Sequence, residues 1–220
     1  MILHIPHSSR ELGGHVELSN ELRNLSYLTD TDVDMIFDDG VPIKFPFSRF
    51  VCDVERLKVN EPMDSKGQGI IYRKDCYGNG IIRHISDEDV YKMYDEHHRK
   101  LTLMINKQLA YIEHVVIVDC HSFPPDIAED VDVCIGTDDI HTPVELVDLV
   151  VTHLLEKGVS VKINEPYGGT MVPEHHKDNP LVQSIMIDVN KKLYVNNMYE
   201  FKPIITELLE KINEYEGNIA

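Results

Sequence analysis

One stretch of the sequence, Val115–Ser122, reads VVIVDCHS and places an aspartate and a histidine directly after four β-branched residues. Such an apolar run is typical of a strand that is buried on both faces, as in a parallel sheet covered by helices. In open α/β sheets, ligands and catalytic groups gather at the carboxyl ends of the strands. The stretch therefore predicts a central strand with a functional site at its end, around His121.

Five other short runs share this apolar, β-branched character. They are Ile2–Ile5, Ile43–Phe47, Val131–Ile135, Val159–Ile163 and Ile185–Val189. Stretches with a helical pattern separate most of them, and strands that alternate with helices favour a sheet covered on both faces. We therefore expect a three-layer α/β fold in which a mostly parallel or mixed central sheet is flanked by helices.

Helix start and stop signals mark four of the intervening stretches. They place helices from Ser86 through Leu109, near Thr31, over Val144–Glu156 and from Pro203 to Ile212. Ser86 and Asp89 resemble a capping box, and Gly158 ends the helix that Pro143 opens. Residues 60–82 carry four glycines and no clear periodicity. A loop of that length is usually functional or mobile, and it could form a lid over a site.

Length and charge narrow the classes of function. A chain of 220 residues is most simply one domain, residues 1–220, with a core large enough to fold without disulfides. Its 21 Lys and Arg against 38 Asp and Glu give a net charge of −17, which repels nucleic-acid phosphates and anionic lipids. No apolar run is long enough for a membrane span, and the N-terminus lacks a signal-peptide pattern. We expect a cytoplasmic protein that binds neither nucleic acid nor membranes.

Histidines stand at the ends of two predicted strands. His4 and His7 lie at the end of the first run, and His121 ends the run that begins at Val115. Two such histidines with a nearby carboxylate meet the requirement of a catalytic zinc site, which has three protein ligands and one open position. Spacing alone also allows ordinary polar roles for these histidines, so it indicates a metallohydrolase without establishing one.

Six segments carry a recognisable set of motifs. In chain order they are Pro6-His7-Ser8, Thr29-Asp30 followed by Val33-Asp34, Ser48–Arg56, Val118–Ser122, Asn164–His175 and Ile185–Asp188. This ordered series resembles that of the N-formylglutamate amidohydrolase family, whose fold is akin to that of the zinc carboxypeptidases and aspartoacylases. The resemblance implies a metal-dependent hydrolase that cleaves the amide of a small N-acyl amino acid such as N-formylglutamate, an activity of histidine degradation.

The resemblance implies a zinc ion held by three residues. His7 and His121 match the family's histidines, and Asp30 matches an aspartate that would complete the set. Asp30 would lie near a helix N-terminus, where the helix dipole favours negative charge, although it could instead cap that helix. Glu11 and Asp34 are the alternatives for the third ligand.

The resemblance also implies a proton carrier and an anion site. Asp188 occupies the place of a glutamate that takes a proton from water and delivers it to the leaving amine. Arg56 would bind the substrate carboxylate, unless it forms only an ion pair with Asp53 or Glu55. The other residues expected at the substrate are Arg49, Arg73, Gly169 and His175.

Three departures from the family pattern keep other functions open. Glu55 replaces an asparagine, the glycine expected after the opening histidine is absent because Ser8-Ser9-Arg10 follows His7, and Asp188 is one methylene shorter than the family's glutamate. The chain could therefore be another metal-dependent deacylase or a carboxypeptidase, since a fold does not fix specificity. It could also be a metal-binding protein that has lost catalysis. The sequence predicts a small-molecule partner and does not indicate an oligomeric state.

Overall fold

The computed structural model describes residues 1–218 and divides into two compact units. The first unit contains Met1–Ile5, Asp32–Ile43 and the chain from Leu101 onward, and the second contains Pro6–Thr31 and Lys44–Lys100. Each unit is therefore assembled from segments that are distant in sequence. Within residues 1–218, no helix has both the length and the apolar content that crossing a bilayer requires.

Two sheets account for the strands. The strands are β1 (Ile2–Ile5), β2 (Val16–Glu17), β3 (Val41–Lys44), β4 (Ile82–Arg83), β5 (Val115–Phe123), β6 (Val133–Gly136), β7 (Val161–Ile163) and β8 (Val182–Asn190). Six of them form a sheet of order β3-β1-β5-β8-β6-β7, in which β5 runs parallel to β1 and β8 while β6 runs antiparallel to β8. The predicted mixed sheet is confirmed. In the second unit, β2 pairs with β4.

Helices cover both faces of the large sheet. They are α1 (Glu21–Leu28), α2 (Val33–Ile36), α3 (Asp87–Leu109), α4 (Val144–Glu156) and α5 (Met198–Asn218). Because side chains alternate along a strand, Val116 and Val118 of β5 join the core formed with α2, α4 and α5, whereas Val115 and Ile117 pack with Leu101 of α3. The predicted three-layer α/β arrangement is therefore confirmed.

The helix predictions are confirmed for α3 and α4 and corrected for α5. The Ser86 hydroxyl accepts a hydrogen bond from the Asp89 amide at 3.1 Å, as a cap does. The last helix begins at Met198 and not at Pro203, which lies inside it. Pro203 lies close to the N-terminus of α5, and its missing N–H removes only one backbone hydrogen bond of the helix. Burial of Phe201 on the sheet outweighs that loss. Helix α1 was not predicted.

Strand bounds differ from the sequence pattern in both directions. β5 and β8 each extend to nine buried or nearly buried residues, so polar residues at their ends belong to the strands. The predicted strand Ile43–Phe47 has the wrong bounds, because β3 begins at Val41 and ends at Lys44. Pro46 has no N–H to donate to a ladder, and Phe45 packs instead in a core of the second unit. The predicted runs at Val131 and Val159 each start two residues before the observed strand.

Residues 60–82 form a folded segment of the second unit. They contain a short 3-10 helix, Pro62–Lys66, and two isolated bridges, and they bury Ile70 and Tyr72. The buried Asp75 carboxylate holds the segment together by accepting hydrogen bonds from the amide of Tyr77 (2.9 Å) and the side chain of Asn24 (3.0 Å), among others. Polar contacts of this kind, and not a periodic pattern, order the segment.

Candidate active site

In the second unit, the carboxylate of Asp53 is fully buried and contacts four functional side chains. It accepts hydrogen bonds from Nε2 of His7 at 2.8 Å, from Nη2 of Arg49 at 2.8 Å and from the Tyr72 hydroxyl at 3.3 Å. Nε of Arg56 lies 3.2 Å from the same Asp53 oxygen that Arg49 contacts. The carboxylate of Asp53 is thus surrounded by two guanidinium groups from its own segment, Ser48–Arg56, and by the imidazole of His7.

The charges of this cluster follow from burial and proximity. Burial raises the pKa of Asp53, but Arg49, His7 and Arg56 outweigh it and hold that pKa well below its usual range. Burial lowers the pKa of His7, and the positive charge of Arg49 adds to this effect. Asp53 is therefore an anion and His7 is neutral near pH 7. Neutral imidazole is the form that binds metal ions.

His7 is held in one tautomer with its second nitrogen facing another carboxylate. Because Asp53 accepts from Nε2, the lone pair of His7 lies on Nδ1, which is 3.7 Å from Oδ2 of Asp30. Two ligand atoms of a tetrahedral zinc ion, each roughly 2 Å from the metal, stand about 3.3 Å apart. The backbone amide of Asp30 donates to the His7 carbonyl at 3.0 Å, which fixes the two residues beside each other. The pair has the spacing of two ligands of one ion.

In the first unit, the carboxylate of Asp119 in β5 organises a second histidine in the same way. Its Oδ1 lies 3.1 Å from Nε2 of His121 and 2.8 Å from Nδ1 of His4, and its Oδ2 accepts from the Met171 amide at 3.0 Å. Burial raises the pKa of Asp119, and the two histidines outweigh it and lower that pKa. His121 therefore donates from Nε2 and carries its lone pair on Nδ1, as His7 does.

Sheet register places Asp188 next to this histidine. In the parallel pairing of β5 with β8, His121 is the partner of Asp188, and in the pairing of β6 with β8 the partner of Asp188 is Cys134. Side chains at paired positions of neighbouring strands point to the same face of the sheet, and neighbouring strands are about 4.8 Å apart. Asp188 is 5% exposed. The sheet thus presents a buried carboxylate beside a candidate ligand.

Each unit holds part of the predicted ligand set. His7 and Asp30 in the second unit, and His121 in the first, are among the described residues that could hold a metal ion. The alternatives are less suited to that role. Glu11 is exposed and its carboxylate accepts from the Gly13 amide, while Asp34 is half-buried in α2.

The expected substrate residues fall into two groups. Arg49 and Arg56 lie together at Asp53, and the ion pair that was the alternative role for Arg56 is present. Arg73 instead forms an exposed ion pair with Asp87. Gly169 and His175 are exposed in the segment that follows β7.

Gly169 is a position that requires glycine for a physical reason. Its φ of +84° lies in the left-handed region, and its carbonyl oxygen would be 2.1 Å from a Cβ placed on Gly136. Two glycines therefore allow the chain after β7 to pass close to the end of β6. This close approach was not predicted from the sequence.

Sequence reasoning did not assign functional positions to several residues of these clusters. The sequence indicates Asp53 only as an ion-pair partner, places His4 at a strand end without choosing it as a ligand, and gives Tyr72 no role. Their signal was weak, because each is a polar residue within or beside an apolar run. The cost of burying an unpaired polar group was the one hint available, and it identifies no partner.

The chain is similar to known proteins in both sequence and fold. The sequence model of the N-formylglutamate amidohydrolase family matches residues 1–195. N-formylglutamate amidohydrolase from Ralstonia eutropha JMP134 has a similar structure, with a TM-score of 0.85 and 20% identity over 100% of this chain and 94% of that chain. A gene product of Agrobacterium tumefaciens has a TM-score of 0.68 and 20% identity over 96% of this chain and 91% of that chain. None of the curated proteins matches the chain.

These comparisons carry different weight. At 20% identity, the two similar structures show the fold alone. The family match covers most of the chain, including the segments with His7, Asp53, His121 and Asp188. On that match, the chain belongs to the N-formylglutamate amidohydrolase family and is a hydrolase that acts on amide bonds.

Proposed function

We propose that this protein is a zinc-dependent amidohydrolase that converts N-formylglutamate to formate and glutamate, in one domain of residues 1–220 to which both compact units contribute. The observation that carries the proposal is the repeated arrangement of a buried aspartate and a histidine. Asp53 fixes His7, and Asp119 fixes His121, so that each imidazole keeps the Nδ1 lone pair for a ligand role. The cytoplasm and histidine degradation are the setting that this activity implies.

The residues present fit a zinc ion. His7, Asp30 and His121 supply two imidazoles and one carboxylate, which is a donor set of catalytic zinc sites, and all three are buried. When bound, zinc would supply Lewis acidity that polarises the amide carbonyl and lowers the pKa of a water molecule.

Asp188 is the proton carrier in this proposal. Its carboxylate lies one strand away from His121 in register, on the face of the sheet that carries Asp119. There it accepts a proton from the attacking water and passes that proton to the leaving nitrogen. The shorter side chain, compared with glutamate, places the carboxylate nearer to the sheet.

Arg49 and Arg56 bind the substrate carboxylates. Two guanidinium groups face the single carboxylate of Asp53, so these three side chains together carry one net positive charge within a chain whose net charge is −17. Guanidinium groups bind carboxylates through paired hydrogen bonds. Asp53 holds both groups in place while the substrate exchanges with water. The family resemblance alone extends the proposed set of substrate-binding residues to Arg73, Gly169 and His175.

A second candidate substrate is an N-acyl amino acid with one carboxylate. Glu55 directly precedes Arg56 and is half-buried, so a second negative charge stands beside the anion site. That charge disfavours the dianion N-formylglutamate relative to a monoanion such as N-formylmethionine. Deacylation of a monoanionic substrate would use the same metal, Asp188 and arginine pair.

The test measures turnover together with metal content. Zinc-loaded wild-type protein and Asp188→Asn are assayed for release of formate from N-formylglutamate and N-formylmethionine. Because a proton carrier contributes roughly 10²–10⁴-fold, we expect Asp188→Asn to lower kcat by at least about 100-fold with unchanged zinc content. Asp178→Asn, an exposed aspartate, is the matched control and should retain full activity.

Either substrate class can be recognised from this assay. Preferential cleavage of N-formylmethionine would select the monoanionic candidate and preserve the mechanism. A wild-type protein that binds zinc and cleaves neither compound would contradict the proposed function, and full activity of Asp188→Asn would remove Asp188 from it.

A further inference from the structure

The anion site of the second unit is built on an irregular segment that is nevertheless buried. Residues 50–54 are completely buried and belong to no helix or strand. Backbone N–H and C=O groups in such a segment need partners, because neither a ladder nor water satisfies them. The side chains of Arg49, Asp53 and Arg56 can keep their arrangement only if these backbone groups are held.

Side chains of α3 supply hydrogen-bond donors at the C-terminal end of this segment and just beyond it, at Val54 and Arg56. Nε2 of His98 donates to the Val54 carbonyl at 2.8 Å, and the Tyr94 hydroxyl donates to the Arg56 carbonyl at 2.8 Å. A carbonyl oxygen only accepts, so the His98 tautomer with a proton on Nε2 is required. The two hydrogen bonds hold the backbone on both sides of Glu55.

Tyr94 and His98 act as one rigid element. They are four residues apart on a helix and therefore lie on the same face, with rings stacked at a centroid distance of 4.2 Å. Val90, one turn earlier on that face, accepts from the Cys52 thiol through its carbonyl. One face of the helix thus runs along residues 52–56.

The other end of the segment is held by a different side chain. The Arg83 guanidinium donates to the carbonyls of Phe50 (2.9 Å), Val51 (2.7 Å) and Tyr72 (3.1 Å). Arg83 thereby connects the backbone that precedes Asp53 to Tyr72, whose hydroxyl donates to Asp53. The segment is fixed at both ends by side-chain donors.

We infer that Tyr94 and His98 are positioning residues for the anion site, setting the direction of Arg56 through the backbone carbonyls of Val54 and Arg56. The inference rests on the proposed function, in which Arg56 binds the substrate carboxylate. Neither residue contacts the substrate in this account. Loss of either hydrogen bond lets the Arg56 backbone shift, so binding of the carboxylate weakens while proton transfer at Asp188 is preserved.

The kinetic test removes one hydroxyl and keeps the stacked ring. One neutral hydrogen bond is worth about 1 kcal/mol, so Tyr94→Phe should raise KM for the preferred substrate about fivefold and change kcat less than twofold. His98→Leu should behave alike, and His98→Gln, which keeps a donor near Nε2, should restore KM. Tyr215→Phe removes a hydroxyl that donates to Gln183 in the first unit and serves as the matched control.

A substrate-independent measurement separates this inference from the proposed function. In ¹⁵N-labelled protein, the Nε–H resonance of Arg56, identified by its loss in Arg56→Lys, should shift in Tyr94→Phe, while that of Arg99, which pairs with Glu96, stays in place. An unchanged Arg56 resonance together with an unchanged KM would overturn the inference. An equal rise in KM in Tyr215→Phe would also overturn it. Absence of turnover in wild type would contradict the proposed function, and the Arg56 resonance would still decide the role of Tyr94.

Discussion

Asp53 is the residue that links the proposed metal ligand to the proposed anion site. Its carboxylate contacts Nε2 of His7 through one oxygen and Arg49 and Arg56 through the other. An asparagine has a single acceptor oxygen, so it cannot serve both groups. The chemistry of the site depends on a residue that need not touch metal or substrate.

Replacing this carboxylate should affect both functions together. We expect Asp53→Asn to lower zinc affinity about 10–100-fold, since partners of ligating histidines typically contribute that much, and to raise KM as well. Competition with a chromogenic chelator measures the affinity. Asp95→Asn, which removes an exposed partner of Lys58, is the control and should change neither quantity. Zinc affinity equal to that of wild type in Asp53→Asn would separate Asp53 from the metal ligand.

Individual residues were predictable from the sequence to different extents. His7, His121 and Asp188 could be chosen because they stand near the ends of apolar runs and match family motifs. The role of Asp53 could not be predicted in this way, because it depends on His7, which is 46 positions away in sequence. Charge partners of this kind are decided by tertiary structure, which local patterns do not encode.

Among the elements, residues 60–82 show how one carboxylate can order a long segment. Burial raises the pKa of Asp75, but hydrogen bonds from Asn79 and Asn24 outweigh that effect and lower its pKa to about 2. A group whose pKa is lowered on folding stabilises the folded state above its unfolded pKa and loses that effect as the pH falls through the folded value. The contribution of Asp75 is therefore complete above about pH 4 and disappears towards pH 2.

This reasoning gives a prediction for stability against pH. A pKa lowered from 3.8 to about 2 corresponds to about 2 kcal/mol of folding free energy. We expect the free energy of unfolding of wild type to fall between pH 5 and pH 2 by about 2 kcal/mol more than that of Asp75→Asn. Urea unfolding at a series of pH values measures the difference. Parallel curves for the two proteins would show that Asp75 does not couple this segment to pH.

Elements were predictable where local signals and burial agree. α4 was predicted to its last residue, because an apolar stripe coincides with Pro143 before it and Gly158 after it. α5 begins before Pro203 because packing on the sheet decides its start, and β3 shifts because Phe45 joins another core. In both cases tertiary contacts override a local signal.

For the whole molecule, the division into two compact units could not be predicted from the sequence. The apolar runs predicted the large sheet of the first unit, whereas the second unit has only a two-stranded sheet and many turns. Its order depends on polar groups without periodicity, such as the buried Asp53 and Asp75 and the half-buried Arg83. Half of the proposed chemistry resides in this less regular unit.

The central claim is that His7 and His121 are both ligands of the proposed zinc ion. Elemental analysis of purified wild-type protein, His7→Ala and His121→Ala tests it directly, with His84→Ala as a control at a half-exposed histidine that pairs with Glu17. We predict close to one zinc per chain in wild type and in His84→Ala, and loss of the metal in both other variants. Metal that persists in either His7→Ala or His121→Ala would contradict this ligand set.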